Sequence, residues 1–438
     1  MVSLRDLVDQ NIIKKTGAYK KYTINGQNKA EPIYSISLKY LYYNDQNGRI
    51  STALQKYLST HEGEHIEPCS DIESDGASYE VEGKPATYND LFASFIVASN
   101  RGRLLQTKET IQKNTQQEPG VVLNDGRVID GNRRFTALRL IQQEENVEQY
   151  FEAAILEFDI DNEVDKKTIK QLELDLQMGK EDRVDYDPID RIFDVYNTVC
   201  EQKLMTAQEY AKSIGKKNAK GVNQDIEEAK LISGFLKFIN ASESSYYLAK
   251  EMKLDGPMHE IRRVLDNNGL LEDGEVCSAI YSLLAISYAK VSRGDGNGDV
   301  TRDMRSRLNA LVNSAAKDDW VTSTEDDVDT IYDAFQDQVI DNTAQISDVL
   351  SQDDAVVRDV EEFDKNSRIL EKKNSYQGEL EQVVSDIADC LDTLQEIDGQ
   401  VLSSLGEDLS KKAARKLKEI VDVANAEYNI ISETGNLL

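Results

Sequence analysis

The sequence predicts an α+β protein, with strands near the amino terminus and a predominantly helical body after them. Residues 121–139, VVLNDGRVIDGNRRFTALR, hold two short apolar runs separated by Asn124-Asp125-Gly126, and an amphipathic helix follows. Asn-Asp-Gly between two apolar runs is a strong signal for a β-hairpin. Residues 31–38 and 151–160 are predicted as further strands. Apolar residues then recur at helical spacing in much of the remaining chain, most regularly between 380 and 428.

The composition is that of a globular protein with reduced cysteines. Hydrophobic residues make up 39% of the 438 residues and charged residues 30%, and no run of 18 apolar residues predicts a transmembrane helix. The first residues, MVSLRDLVDQ, lack the apolar core of a signal peptide. The four cysteines are scattered and form no C-x-x-C pair, so we expect a soluble, cytoplasmic protein without a cysteine metal framework.

The net charge of −29 argues against a protein covered in nucleic acid, but the charge is unevenly distributed. Residues 1–50 hold eight Lys and Arg against four acids, whereas residues 318–341 hold nine acids and no base. A locally basic surface on an acidic body is compatible with DNA binding of strongly salt-dependent affinity. Residues 1–30 are polar and rich in lysine, and we expect an arm or short helix followed by a loop.

The start of the helix after residue 131 is the strongest candidate site. Exposed N–H groups at a helix start bind anions, and Arg133 and Arg134 place two guanidinium groups in the same turn. We therefore expect Gly131, Asn132, Arg133 and Arg134 to bind a phosphate group. Asp130 lies directly before them and is the candidate catalytic carboxylate.

Residues 129–137, IDGNRRFTA, resemble the I-x-G-E-R-R-x-x-A segment of the ParB/sulfiredoxin superfamily, with Asn132 where ParB proteins usually have Glu. In ParB proteins this segment binds the triphosphate of CTP, and sulfiredoxins use a related segment for ATP. The resemblance implies a nucleotide-binding domain over residues 1–160, enlarged by an insertion at about 51–118. It further implies that Asn47 and Arg49, in the turn after the first strand, form a wall of the nucleotide site.

The resemblance also implies a Mg²⁺ site. In ParB proteins a helix of the form E-N-x-x-R carries acidic and amide groups to the metal ion of the nucleotide. The stretch LELDLQMGKED at 172–182 resembles this helix loosely, because Asp175 falls on the usual Asn but Leu174 falls on the usual Glu. Asp175 and Asp130 are thus the candidate ligands of Mg²⁺, which binds carboxylates together with phosphate oxygens.

Residues 186–240 carry a second resemblance to ParB proteins. Thr206 and Glu209 form a capping-box pattern, and Gly215 supplies the turn of a helix-turn-helix. ParB proteins have this order of signals, followed by a helix start rich in Lys, Ser and Asn. The first residues of the second helix in such a motif enter the major groove. The candidate DNA contacts are Lys216, Lys217, Asn218, Lys220, Asn223 and Gln224.

These observations divide the chain into four parts: 1–160, 161–240, 241–345 and 346–438. The second part is the helix-turn-helix domain, and the third is expected to be helical. The fourth is expected to form long helices, either as a hairpin or as a coiled coil. The ParB resemblance implies a homodimer held together by these C-terminal helices.

Three functions are compatible with the sequence. The first is a ParB-like DNA-binding switch or clamp gated by CTP or ATP with Mg²⁺, in which slow hydrolysis resets the switch. The second is a nuclease or an ATP-dependent phosphotransferase that uses Asp130 or Asp125 as base or nucleophile. The third is a non-catalytic interaction factor of a mobile-element or phage-defence system, whose acidic C-terminal half binds a protein partner or imitates the charge of DNA.

Overall fold

The computed structural model describes residues 2–24, 27–48, 50–61, 63–178, 187–241, 245–294, 298–312, 316–397, 403 and 405–434. The chain divides into two compact units, Met1–Glu381 and Gln382–Leu438. The first unit is mixed α+β, as the sequence predicts, and contains a six-stranded sheet.

The described strands are β1 (Lys14–Ile24), β2 (Gln27–Ser37), β3 (Tyr42–Tyr43), β4 (Tyr79–Val81), β5 (Lys84–Ala86), β6 (Gly120–Leu123), β7 (Arg127–Asp130) and β8 (Tyr150–Leu156). Six of them form one sheet in the order β1-β2-β8-β6-β7-β3. The pairs β8/β6 and β7/β3 are parallel, and the other neighbours are antiparallel. β4 and β5 form a separate hairpin.

The hairpin predicted at Asn124-Asp125-Gly126 is confirmed. The backbone N–H of Gly126 donates to the carbonyl oxygen of Leu123 at 3.1 Å, and Asp125 Oδ1 accepts from the N–H of Arg127 at 3.0 Å. Gly126 has a φ of +97°, and a Cβ atom there would lie 2.3 Å from the carbonyl oxygen of Tyr40. The turn therefore requires glycine for both its backbone angle and its close packing.

Alternating residues of the strands pack on opposite faces of the sheet, as the pleat requires. The helices of this region are α1 (Leu4–Asp9), α2 (Ser51–Thr60), α3 (Tyr88–Ser99), α4 (Arg101–Asn114), α5 (Asn132–Glu145) and α6 (Glu163–Met178). Val122 and Val128 join the core that includes residues of α1 to α5. Val121 and Ile129 join a smaller core beneath α6. α5 and α6 thus lie on opposite faces.

The short helix expected near the start of residues 1–30 is confirmed as α1, whereas the loop expected after it is wrong. After the short helix α1, residues Lys14–Ile24 form β1, which pairs with β2 along its whole length apart from a bulge between Lys15 and Tyr19. The lysines hid this strand from sequence analysis because they lie mostly at the surface, whereas Tyr22 between them is 2% exposed and packs in the core under α6.

The helical body of the first unit begins at residue 188. Its helices are α7 (Pro188–Tyr196), α8 (Ala207–Ser213), α9 (Lys220–Phe238), α10 (Tyr246–Glu251), α11 (Asp255–Asn267), α12 (Gly274–Ser292), α13 (Val300–Leu311), α14 (Lys317–Gln336), α15 (Thr343–Val349) and α16 (Asp354–Glu396). One hydrophobic core runs from Ile189 to Phe363 and crosses the domain boundary expected at 240–241. Trp320 is fully buried in it and donates from Nε1 to Ser367 Oγ at 2.9 Å.

The second unit contains the end of α16 and a helix α17 (Glu407–Thr434). Leu417, Ile420 and Tyr428 of α17 are exposed apolar residues three and eight positions apart, which puts them on neighbouring parts of one helical face. Among the described residues, no helix combines the length and the apolar composition needed to cross a lipid bilayer.

Candidate functional site

Helix α5 begins at a left-handed glycine. β7 ends at Asp130, Gly131 takes a φ of +105° at the N-cap position, and α5 follows from Asn132. Gly131 has no side chain with which to cap the helix, and the first turn of α5 contains no acidic residue. The first N–H groups of a helix have no intrahelical partner, so this uncapped start with two arginines is suited to an anion.

Two glycines keep the surroundings of this helix start closely packed. A Cβ atom at Gly131 would lie 2.7 Å from Phe151 Cζ and 3.1 Å from Arg134 Nη2. A Cβ atom at Gly120 would lie 2.6 Å from the carbonyl oxygen of Asp130. The start of β6 therefore approaches the end of β7 at a distance that any larger side chain would prevent.

Arg134 is held beside the helix start by two acceptors. Its Nη2 donates to Asp130 Oδ2 at 2.8 Å, and its Nη1 donates to the carbonyl oxygen of Glu118. The side chains of Asp130 and Arg134 are each 14% exposed, so this pair is partly shielded from water. Arg133 is half-buried. The candidate catalytic Asp130 is thus engaged by Arg134, and a phosphate at the helix start would compete with Asp130 for the guanidinium.

Asn132 takes the place of the glutamate in the ParB segment and is 9% exposed. Its Oδ1 atom accepts no hydrogen bond from the described residues. Buried polar atoms in folded proteins rarely lack a partner. A water molecule or a ligand hydroxyl at the helix start would supply the missing donor.

Strand β1 brings two further residues to this region. The Tyr22 hydroxyl donates to the carbonyl oxygen of Gly120 at 3.2 Å, and its pKa is raised by burial and then by the negative charge of Asp130. Lys20 Nζ lies 2.6 Å from Glu118 Oε2. The backbone carbonyl oxygen of the same Glu118 accepts the hydrogen bond from Arg134. Sequence analysis missed both residues because they are distant in the chain and lie in a segment taken for a loop.

A cavity of about 260 Å³ lies between the turn at 44–51 and helices α6 and α7. Its lining includes the polar residues Asn44, Asp45, Ser51, Asn197 and Gln202. Asn197 begins a π-helical turn that follows α7, and such turns often occur at functional sites. None of the described residues 130–134 is among the residues that line this cavity.

A buried lysine, Lys170, is one of the charged residues that line this cavity. Lys170 Nζ lies 2.5 Å from Asp194 Oδ1 and 3.6 Å from Glu173 Oε2, and the Tyr210 hydroxyl donates to Asp194 Oδ2 at 2.8 Å. Burial lowers the pKa of Lys170, but the two carboxylates outweigh that effect and raise it. Lys170 is therefore charged at neutral pH, and its contacts connect α6 and α7 to α8.

Asn47 and Asp175, which the ParB resemblance assigns to the nucleotide site, do not line this cavity. Asn47 is buried in the turn but does not line the cavity, whereas its neighbours Asn44 and Asp45 do. Arg49 lies outside the described residues. Asp175, two residues beyond Glu173 on α6, is half-buried and also does not line the cavity. Burial raises the pKa of Asp175. A nearby cation would lower the pKa of this carboxyl group instead.

Two helices joined by a turn, α8 and α9, occupy the stretch in which the sequence predicts a helix-turn-helix. The Thr206 side chain accepts from the N–H of Glu209 at 3.2 Å, and Glu209 Oε2 accepts from the N–H of Thr206 at 2.8 Å. Lys167 and then the Thr206 N–H lower the pKa of Glu209 to about 2. Gly215 has a φ of +75° in the turn. α8 and α9 pack with α6 and α7 around a small core that includes Tyr210 and Val222.

The candidate DNA contacts lie at the start of α9. Five of them are exposed, namely Lys216, Lys217, Asn218, Lys220 and Asn223, and Gln224 is half-buried. Asn218 Oδ1 accepts from the N–H of Lys220 at 3.0 Å and so helps to fix the helix start. Lys216, Lys217 and Asn218 thus lie in the turn before α9, and Lys220, Asn223 and Gln224 lie in its first turns.

Three acidic residues of α9, Asp225, Glu227 and Glu228, follow directly after the candidate DNA contacts. Glu228 is 5% exposed and accepts from Arg262 Nε at 2.9 Å. Asp225 accepts from Arg191 Nη2 at 3.0 Å, and burial raises the pKa of Asp225 to about 6. Arginines of neighbouring helices therefore compensate part of the negative charge of Asp225 and Glu228.

Comparison of the chain with models of protein families, with curated proteins and with solved structures finds no match.

Proposed function

We propose that this chain is a ParB-like, nucleotide-gated DNA-binding protein. The observation that carries this proposal is the start of α5, where a left-handed glycine, an uncapped helix end and Arg133 and Arg134 coincide. Backbone N–H groups and guanidinium groups together form an anion site of the kind that binds phosphate. A CTP or ATP triphosphate binds there, and Arg134 exchanges its contact with Asp130 for one with the phosphate.

Mg²⁺ fits this arrangement through Asp130. The ion commonly uses one or two carboxylates together with phosphate oxygens of the nucleotide, and Asp130 lies directly before the phosphate site. The positive charge of the ion would also compensate the negative charge of Asp130 once Arg134 turns towards the phosphate. Asp175 is the second ligand implied by the resemblance, and its half-buried carboxyl group has no cation within 4 Å among the described residues.

DNA binding by the helix-turn-helix is supported by its geometry and charge. The exposed residues at the start of α9 are mostly basic or amide side chains, and both types contact phosphates and base edges. Lys170, Asp194 and Tyr210 link α6, α7 and the first helix of the motif through direct contacts. A nucleotide that repositions α6 would therefore change the placement of α8 and α9.

Self-association through α17 completes the proposed clamp. Leu417, Ile420 and Tyr428 expose apolar surface on one helix, and a second copy of the same helix is the partner that would cover it. A dimer would place two helix-turn-helix motifs on one DNA molecule.

Isothermal titration calorimetry of the full chain with CTP, ATP and GTP, each with Mg²⁺, tests the nucleotide site. We expect saturable binding of one nucleotide and a loss of about 10- to 150-fold in affinity for Arg134→Ala, since hydrogen bonds to charged groups contribute about 1.5–3 kcal/mol. Arg103→Ala, an exposed arginine of α4, is the matched control and should bind normally. Equal binding by Arg134→Ala and the native chain would contradict the proposal.

A further inference from the structure

Strands β1 and β2 form a basic β-ribbon that extends beyond the sheet. β1 and β2 pair from Tyr19↔Pro32 to Ile24↔Gln27, whereas β2 pairs with β8 only over residues 33–37. Residues 19–24 and 27–32 therefore have no further strand neighbour among the described residues. The six residue pairs over this end of the ribbon, at about 3.4 Å per residue, give it a length of about 20 Å.

The ribbon carries a concentrated positive charge on an acidic chain. β1 and β2 together contain five lysines and one acidic residue, Glu31. The lysines are Lys14, Lys15, Lys20, Lys21 and Lys29. Lys20 is paired with Glu118. The other four lysines are exposed and have no carboxylate within 4 Å among the described residues. A net charge of −29 leaves many acids elsewhere, so this local charge is unusual for the molecule.

Protection of the sheet edge is the simplest other explanation, because lysines on edge strands prevent strand addition. Lysine is the residue most often used for that role. The two explanations differ in their consequence for DNA binding, because edge protection alone predicts no change in its salt dependence when the lysines are replaced.

We infer that the basic ribbon, residues 14–24 and 27–37, is a second contact surface for duplex DNA. The major groove is about 12 Å wide and admits a two-stranded β-ribbon, whereas the major groove of duplex RNA is too narrow for side chains to read. α6 packs against β1 and also against α8, so the ribbon and the helix-turn-helix are supported by one helix. The inference extends the DNA-binding part of the proposed function.

The salt dependence of DNA binding tests this inference. The affinity of the full chain for a fluorescent 30-base-pair duplex is measured by anisotropy between 50 and 200 mM NaCl. Each lost phosphate contact reduces the slope of log K against log salt by about 0.9. Replacing Lys14, Lys15, Lys21 and Lys29 by Gln should therefore reduce the slope by up to about 3.6. The corresponding four Lys→Arg replacements should retain the native slope.

The control removes the same charge elsewhere: the exposed Lys84, Lys113, Lys253 and Lys365 are replaced by Gln and should leave the slope unchanged. An unchanged slope for the ribbon variant, or duplex RNA binding as tight as DNA binding, would overturn the inference. A parallel variant with Lys216, Lys217 and Lys220 replaced by Gln separates the two interfaces. If only that variant loses affinity, the ribbon inference fails and the helix-turn-helix stands; if only the ribbon variant does, the reverse holds.

Discussion

Replacing Lys170 by Met should strongly destabilise the first unit. Lys170 Nζ lies 2.5 Å from an oxygen of Asp194 and 3.6 Å from one of Glu173, and the three side chains are 11%, 8% and 6% exposed. At an effective dielectric constant of 20 these separations correspond to attractions of about 7 and 5 kcal/mol. Desolvation cancels much of this attraction, but removing one partner of a buried pair still costs about 3–5 kcal/mol, because the remaining charges are uncompensated.

Urea unfolding followed by the fluorescence of Trp320 measures this loss. Trp320 is the chain's one tryptophan and lies in the core of the same unit. The matched control is Lys166→Met on the same helix, whose partner Glu163 is exposed, and its loss should stay below about 1 kcal/mol. Adding Asp194→Asn to Lys170→Met should restore part of the stability, since one uncompensated charge disappears. A loss below about 1 kcal/mol for Lys170→Met would refute the reasoning.

Two further predictions concern backbone strain and pH. Gly131→Ala should lower the free energy of unfolding by at least about 1 kcal/mol and weaken nucleotide binding, because φ at residue 131 is +105°; unchanged urea unfolding and calorimetry would contradict this. Burial, and then neighbouring carboxylates, raise the pKa of Asp327 to about 6. The folded chain therefore binds more protons than the unfolded chain between pH 3.8 and 6, and its stability falls as pH rises through that window. Asp327→Asn should remove this dependence and stabilise the protein above pH 6 by up to about 3 kcal/mol, whereas the exposed Asp329→Asn should not; equal pH profiles would contradict the prediction.

Local signals in the sequence predict the hairpin and the start of helix α8 well. Asn124-Asp125-Gly126 specifies a turn through its own backbone preferences, and Thr206 and Glu209 cap a helix through contacts three residues apart. Both features depend on residues that are neighbours in the chain. The order strand, turn, strand and helix around residue 131 is predictable for the same reason.

Features that depend on distant residues are not predictable in this way. Lys170 and Asp194 meet because α6 packs beside α7, and no spacing in the sequence indicates that contact. The pairing of β1 with β2 is likewise set by Tyr22 reaching the core, although the surrounding lysines suggest a solvated loop. Asp130 and Arg134 are four residues apart, but their ion pair becomes visible only once α5 is known to begin at Asn132.

The central claim is that a nucleotide at the start of α5 changes the affinity of the chain for DNA. The measurement that tests it most directly is the dissociation constant for a duplex with and without CTP·Mg²⁺ or ATP·Mg²⁺, made on the native chain and on Arg134→Ala. We expect one nucleotide to shift the affinity of the native chain by about 5- to 150-fold, the usual range of coupling between sites, and to leave Arg134→Ala unchanged. Identical dissociation constants with and without nucleotide for the native chain would contradict the account.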